Sequence, residues 1–195
     1  MKKLAKGLMP IIFIGIFLGL IIFNNFNLAS SSNTGTSTTA EKSVFMYLSL
    51  KGETQGDIIG SVTENGHEDS IEVLSYSHSI ISPRDAASGL PTGKRQHSPL
   101  VITKQIDRST PLLYQALIMN EELTTWKLEF WKISQTGKSE MFYSIELYKA
   151  SIAEISPRGS NFGSTEHVAF CYQKITWTWV DGGVTAEDDW ETPNA

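Results

Sequence analysis

Short segments in which apolar and polar side chains alternate dominate the sequence after residue 43. The clearest of them cover residues 44–50 and 126–131. A period of two places every second side chain on the same face of a β-strand, so that one face packs in a core and the other meets solvent. We therefore expect a mainly β fold, an antiparallel two-sheet β-barrel or sandwich.

Further strands are expected at 71–76, 141–147 and 150–155, and in one long run at 167–180. A turn at 135–137 connects the segment that starts at Trp126 with the one that ends at Leu147, which predicts a hairpin. The polar stretch 156–166 is expected to be a loop, and the Asp-Gly-Gly sequence at 181–183 predicts a turn.

One strong helix signal interrupts the strands, between Pro111 and Met119. Thr110 is the expected N-cap, and Pro111 suits the first helical position because its missing N–H needs no partner there. One apolar stripe follows at helical spacing: Leu112, Leu113, Ala116 and Leu117. Such a helix would close one end of a barrel.

The first 29 residues predict a hydrophobic helix directed to a membrane. Leu8–Phe23 is apolar and uncharged, with Leu8, Ile12, Phe17 and Phe23 as the expected membrane segment, and three lysines precede it. Its length lies between a signal-peptide core and a bilayer span. It is therefore either an uncleaved inner-membrane anchor with the domain facing the periplasm, or a signal removed near Ala29; translation from an upstream start site is a third alternative.

A Ser- and Thr-rich segment follows at 30–42 and predicts a flexible linker, with a single β-domain at 43–195. The chain carries a net charge of -5, but without Lys2, Lys3 and Lys6 the 13 remaining basic residues face 21 acidic ones, a net charge of -8. An acidic domain argues against nucleic-acid binding.

The sequence contains no motif typical of an enzyme, so we expect neither catalysis nor a cofactor. His67, His78, His97 and His167 are separated without metal-ligand spacing. His67 is expected in a solvated turn beside Glu68, and His97 as a hydrogen-bonded structural residue. The only cysteine, Cys171, excludes an intrachain disulfide framework and a cysteine-based zinc site, and its strand context predicts burial.

Two features near the C-terminus have competing interpretations. The acidic residues Glu187, Asp188 and Asp189 are expected to form a solvated tail rather than a cation site. Trp177 and Trp179 are expected to pack in the core or an interface rather than to stack on a ligand.

The stretch H-S-P-L-V-I-T-K-Q-I-D-R-S-T-P-L-L-Y-Q-A-L at His97–Leu117 resembles the haemolysin-coregulated protein (Hcp) family, the tube subunits of type VI secretion machines. The resemblance continues through W-K-L-E-F-W-K from Trp126, F-Y-S-I-E-L from Phe142, and Y-Q-K-I-T-W-T-W with the terminal D-D-W. It implies a β-barrel subunit that forms homohexameric rings and stacks them into a secreted tube that carries effectors. Sheath, spike and effector proteins are the further partners that the resemblance implies.

Residues 81–96 form a long excursion with two prolines, two glycines and four charged side chains, which indicates a binding loop or a merely mobile one. The resemblance implies a ring-stacking loop with Arg84, Leu90, Lys94 and Arg95, whose cations would complement the acidic domain. The N-terminal segment departs from the family pattern. It leaves an alternative open, in which an anchored or exported bacterial binding module acts as a receptor or adhesin outside the tube.

Overall fold

The structure is a computed structural model that describes residues 44–160 and 163–191. The predicted membrane segment with Leu8, Ile12, Phe17 and Phe23, and the linker at 30–42, lie outside these residues. Among the residues that are described, no helix is long and apolar enough to cross a membrane.

The described chain contains 13 strands, one α-helix and one short 3-10 turn. In chain order the elements are β1 (Val44–Gly52), β2 (Gly56–Ile58), β3 (Ile71–Glu72), β4 (Ser75–Ser77), β5 (Ile80–Ile81), β6 (Gln96–His97), β7 (Leu100–Gln105), α1 (Thr110–Met119), β8 (Leu123–Ile133), β9 (Ser139–Tyr148), β10 (Ser151–Ser160), β11 (Gly163–Cys171), β12 (Lys174–Trp179), the 3-10 turn (Asp181–Gly183) and β13 (Val184–Asp189).

The fold consists mainly of two antiparallel sheets. The larger one, sheet A, has the order β13-β12-β9-β8-β1-β2, with β3 also paired to β1. The smaller one, sheet B, has the order β10-β11-β7-β4, and β5 pairs with β6 as a separate ribbon. The predicted mainly β, antiparallel two-sheet architecture with one short helix is confirmed.

The core lies between the inner faces of the two sheets, as the alternation predicts. Leu48, Leu128 and Ile145 are cross-strand neighbours in sheet A and are almost fully buried. Trp126 of sheet A meets Phe170 of sheet B edge to face, with ring centroids 5.4 Å apart. Burial of each large apolar side chain contributes about 1.5–3 kcal/mol, so this shared core is the main source of stability.

Helix α1 packs on this core through part of the predicted stripe. Leu113 and Ala116 are buried, while Leu112 and Leu117 pack against the core from its margin. The predicted N-cap is wrong. Ser109 precedes the helix and makes no side-chain cap bond, because its hydroxyl donates to Asp107 Oδ1 at 2.6 Å instead.

A buried ion cluster fixes the chain just before the helix. Lys104 Nζ lies 2.7 Å from Glu166 Oε1 and 2.8 Å from Asp107 Oδ1, and both Lys104 and Glu166 are fully buried. Lys104 and Glu166 are cross-strand partners in β7 and β11. Thr110 also donates to Glu166 Oε1 at 2.7 Å, so the cluster links the start of the helix to sheet B.

The chain crosses between the sheets at two places where a single strand was predicted. Segment 71–76 divides into β3, which pairs in sheet A, and β4, which pairs in sheet B. Segment 167–180 divides at residues 172–173, between β11 of sheet B and β12 of sheet A. Each crossing breaks the alternation, since the chain must turn its inward face from one sheet to the other.

The second crossing also explains why the predicted burial of Cys171 is wrong. Val168 and Phe170 point inward in β11, whereas Ile175 points inward in β12. The inward positions therefore change from even to odd numbers between the two strands, and Cys171 is exposed.

The predicted loop at 156–166 is wrong as well. Strands β10 and β11 remain paired out to Ser160 and Gly163. Strand β10 is an edge strand of sheet B, where Pro157 is tolerated because its missing N–H need not serve a ladder.

Lys104→Met should lower the free energy of unfolding by about 3–5 kcal/mol, because it leaves the Glu166 carboxylate buried without its cation. Chemical denaturation measures the loss. The matched control is Lys51→Met, which removes an exposed ion pair with Asp57 and should change stability by about 0–1 kcal/mol. Equal losses for the two variants would contradict the role of the buried cluster.

Candidate self-association surface

The excursion predicted at 81–96 is an ordered antiparallel arm, which we define as residues 82–95. At its base, Ile80 and Ile81 of β5 pair with His97 and Gln96 of β6. Farther out, Arg84 and Pro91 form a bridge, and the Thr92 amide donates to the Pro83 carbonyl at 2.9 Å. The arm is therefore a hairpin with its own hydrogen bonds.

Asp85 organises the tip of the arm. Its Oδ1 accepts hydrogen bonds from the amides of Ala87 and Ser88, at 3.1 and 2.7 Å, and from the Ser88 hydroxyl at 2.8 Å. These bonds hold the pKa of the Asp85 carboxyl below its usual value. Gly89 has a φ of +71°, a left-handed conformation that favours glycine, and it returns the chain toward Leu90.

Three of the four residues assigned to this loop by resemblance are exposed to solvent, and one of them, Arg84, also donates from Nη1 to the Gly89 carbonyl at 3.1 Å. Arg84, Leu90 and Lys94 are exposed, and Leu90 is 65% accessible. An accessible leucine between two cations, on an internally bonded hairpin, is a surface suited to contact with another protein.

Arg95, the fourth residue, is bound within its own subunit. It donates from Nε to Asp188 Oδ2 at 2.6 Å and from Nη2 to Asp188 Oδ1. Such a two-point guanidinium–carboxylate contact is among the stronger ion pairs in proteins. It ties the base of the arm to β13 of sheet A.

A chain of hydrogen bonds extends this attachment into the domain. His97 Nε2 lies 3.0 Å from Asp188 Oδ2, and His97 Nδ1 lies 2.9 Å from the Tyr172 hydroxyl. His78 Nε2 contacts the same hydroxyl at 2.5 Å. We call Arg95, Asp188, His97, Tyr172 and His78 the arm-base network.

The protonation of this network follows from its surroundings. Burial alone would raise the pKa of Asp188, but Arg95 and His97 outweigh it and hold that pKa below its usual value. Burial and then the neighbouring His97 lower the pKa of His78. Burial, followed by the Asp188 carboxylate, raises the pKa of Tyr172, so its hydroxyl stays protonated at neutral pH.

The network corrects one sequence prediction and confirms another. The prediction that the acidic residues near the C-terminus form a solvated tail is wrong, because these residues belong to β13 and Asp188 is largely buried under Arg95. His97 is confirmed as a hydrogen-bonded structural histidine.

The prediction for His67 is wrong. Its ring stacks on Tyr47, with centroids 4.1 Å apart, and meets Trp131 edge to face, so the turn that carries it folds over the outer face of sheet A. Among the described residues, no group of three or more His, Cys, Asp or Glu side chains is arranged to hold a metal ion.

The opposite end of sheet A exposes large apolar side chains. Along β13, Asp188 pairs with Ile175 at one end and Val184 pairs with Trp179 at the other. The strand register places Phe45 and Ile133 at the same end as Val184 and Trp179. These four residues, which we call the apolar rim, are 38–65% accessible.

The geometry defines a subunit with two different ends. A tethered arm leaves the domain where β13 ends, and an apolar rim lies where β13 begins. Two unlike surfaces of this kind suit head-to-tail contacts between identical copies.

Comparison with known proteins gives the family. Residues 47–179 match the family model described as the type VI secretion system effector Hcp. The chain is 38% identical over 166 residues to the major exported protein of Pseudomonas aeruginosa, an alignment that covers 76% of this chain and 96% of that protein. The chain therefore belongs to the Hcp family.

Solved structures agree with this assignment. The structure of Hcp1 from E. coli EAEC 042 is 34% identical, with a TM-score of 0.71, and is matched over 76% of this chain and 99% of its own. The secreted protein Hcp3 from Pseudomonas aeruginosa is 33% identical, with a TM-score of 0.65, over 77% of this chain and all of its own.

The arm-base network was not predicted from the sequence. A signal was present, because Asp188 occupies the register position opposite the buried Ile175, and a carboxylate at an inward position requires a partner. Its partner Arg95 is 93 residues away along the chain, so the pairing could not be identified from local pattern.

Asp85→Ala should loosen the arm tip without unfolding the domain, because it removes three hydrogen bonds that lie outside the core. The Ala87 and Ser88 amides should lose protection from hydrogen exchange by roughly fivefold or more, while the melting temperature stays unchanged. Lys94→Ala in the same arm is the control and should leave tip exchange as it is. A tip whose exchange is insensitive to Asp85→Ala would mean that Asp85 does not order it.

Proposed function

We propose that this chain is a structural subunit of a type VI secretion tube, which assembles as hexameric rings and stacks them through the arm. The observation that carries the proposal is the pair of unlike ends on a domain of the Hcp family. An ordered arm with an accessible Leu90 leaves one end, and the apolar rim occupies the other.

Stacking in this proposal joins the arm of one copy to the rim end of a copy in the next ring. Leu90 would lose its solvent contact against rim residues such as Trp179 and Val184. Arg84 and Lys94 would add favourable long-range attraction, because residues 41–195 carry a net charge of -8. Arg95 supports the contact indirectly, since it holds the base of the arm on Asp188.

Ring closure in this proposal uses the sides of the domain. Among the described strands, β13 and β10 are edge strands of sheets A and B, and edge strands offer unpaired backbone groups to a neighbour. A contact between one such edge and a different surface of the next copy closes into a ring when its rotation divides a full turn.

The proposed mechanism is assembly and carriage, with no bond-making step. A relative whose name describes it as a major exported protein supports secretion of this bacterial chain. Anchoring at the inner membrane through Leu8–Phe23 stays a prediction of the sequence, and so do contacts with sheath, spike and effector proteins.

Leu90→Asp should abolish stacking and leave single rings, because it would place an uncompensated charge against the apolar rim. Electron microscopy and sedimentation of the purified full-length chain would measure the change from tubes to rings. Ile118→Asp is the matched control, since Ile118 is also exposed, at 74%, but lies on the helix, and it should preserve tubes.

The same measurement tests the rival function. A wild-type chain that remains monomeric at high concentration would contradict the tube and favour a binding module outside it. Tubes formed equally well by Leu90→Asp would retain self-assembly but contradict the arm as the stacking element.

A further inference from the structure

The hydrogen bonds of the arm-base network have a direction that can be read from its end groups. The Asp188 carboxylate only accepts, so His97 Nε2 must carry the proton that it shares with Oδ2 at 3.0 Å. In a neutral His97 the other nitrogen, Nδ1, is then an acceptor, and the Tyr172 hydroxyl donates to it at 2.9 Å. His78 Nε2–H in turn donates to the Tyr172 oxygen at 2.5 Å.

One extra proton fits this network without loss of a hydrogen bond. If His97 becomes charged, its Nδ1–H donates to the Tyr172 oxygen and the Tyr172 hydroxyl turns to donate to His78. His78 then accepts at Nε2 and stays neutral with its proton on Nδ1.

A second proton does not fit. With both histidines charged, His97 Nδ1–H and His78 Nε2–H would point at the same oxygen, and neither ring would accept the proton of the Tyr172 hydroxyl. The two positive rings would also repel each other, since their centroids are 6.4 Å apart.

Among the residues that the structure describes, the groups that face the two rings offer His78 no counter-charge. Arg95 of the arm and Asp188 of β13 face His97, and they are already paired with each other. Tyr172 stands between the rings with Cys171 beside it, and Trp177 of β12 packs near His78. A cleft of about 390 Å³, lined in part by His97, Tyr172, Cys171 and Trp190, opens to solvent and gives protons access to the network.

We infer that the arm-base network is a proton-operated latch, which fixes the base of the arm at neutral pH and loosens it when His78 and His97 are both protonated, because Tyr172 can then no longer bond to both rings. The inference rests on the proposed function only for its consequence: a loosened arm base would weaken stacking between rings, so a tube would come apart in an acidic compartment. The latch itself is a property of the single subunit.

The pH range in which the latch opens follows from the direction in which the pKa of His78 is shifted. A histidine titrates ordinarily near pH 6.5, and the pKa of His78 is lowered below that value. A group with a lowered pKa in the folded state contributes stability that is present above its ordinary pKa and is lost as the pH falls through the lowered one. The latch should therefore hold at pH 7 and open in mildly acidic solution.

Hydrogen exchange of the full-length chain tests the latch, with rates corrected for the intrinsic effect of pH. The Ser98 amide, which donates to the Ser79 carbonyl at the base of the arm, should lose protection roughly five- to tenfold between about pH 7.5 and about pH 5. The Leu123 amide, bonded to the Ala150 carbonyl within the core, should keep its protection.

Two variants isolate the cause. His78→Gln retains an amide donor for Tyr172 but cannot take up a proton, so the arm base should stay protected at both pH values. Tyr172→Phe removes the shared hydroxyl, so the base should exchange fast at both. His167→Gln, a histidine of β11 outside the network, is the control and should respond to pH like the wild type.

An acid response in His78→Gln that equals that of the wild type would overturn the inference, and so would a wild-type arm base with the same protection at both pH values. If His78→Gln does not fold, Tyr172→Phe alone tests the inference. A loss of arm-base protection with acid in Tyr172→Phe that equals that of the wild type would also overturn the inference. Tube formation is scored separately by electron microscopy at neutral pH. Absence of tubes at neutral pH would count against the proposed function. The latch would still be tested by the hydrogen-exchange result.

Discussion

The two sheets bury their alternating apolar faces in one shared core, and the positions of the helix and the arm follow from this packing. Contacts such as that between Trp126 and Phe170 exist only if both sheets form, so neither sheet is stable without the other. The chain must cross between them near Val73 and again at Tyr172. The second crossing places the Tyr172 hydroxyl where the arm returns to the domain.

The arm depends on this frame through polar contacts rather than through hydrophobic burial. Its outer part is held by its own backbone bonds and by Asp85, and its base by Arg95 and His97 on Asp188. Ion pairs and hydrogen bonds of this kind are weaker than core packing and depend on protonation. The fold therefore joins a domain that is held together by its apolar core to an arm that is held by polar contacts.

Local patterns predicted those parts of the structure that are made by neighbours in sequence. Strand β1, the β8–β9 hairpin and helix α1 each follow from alternation, a turn or helical spacing within about 25 residues. The sheet crossings could not be predicted in this way, since both sides of a crossing are apolar and only the pairing partners distinguish them. Cys171 was misassigned for that reason.

The candidate surface was also predictable only where it is formed by residues close together in the sequence. The arm was predictable as an excursion rich in proline, glycine and charge, and its proposed stacking role came from the family resemblance. The ion pair of Arg95 within its own subunit could not be predicted, because its carboxylate partner belongs to a strand 93 residues away. The apolar rim also required the structure, since it collects the ends of strands that are distant in sequence.

Cross-linking between differently labelled copies of the full-length chain tests head-to-tail association most directly. Lys94 lies on the arm, and Lys132 and Lys138 lie near the rim end of sheet A. Head-to-tail association predicts links from Lys94 of one copy to Lys132 or Lys138 of another, with mass spectrometry showing mixed labels. Links from Lys94 only within one copy, at concentrations where assemblies sediment, would contradict it.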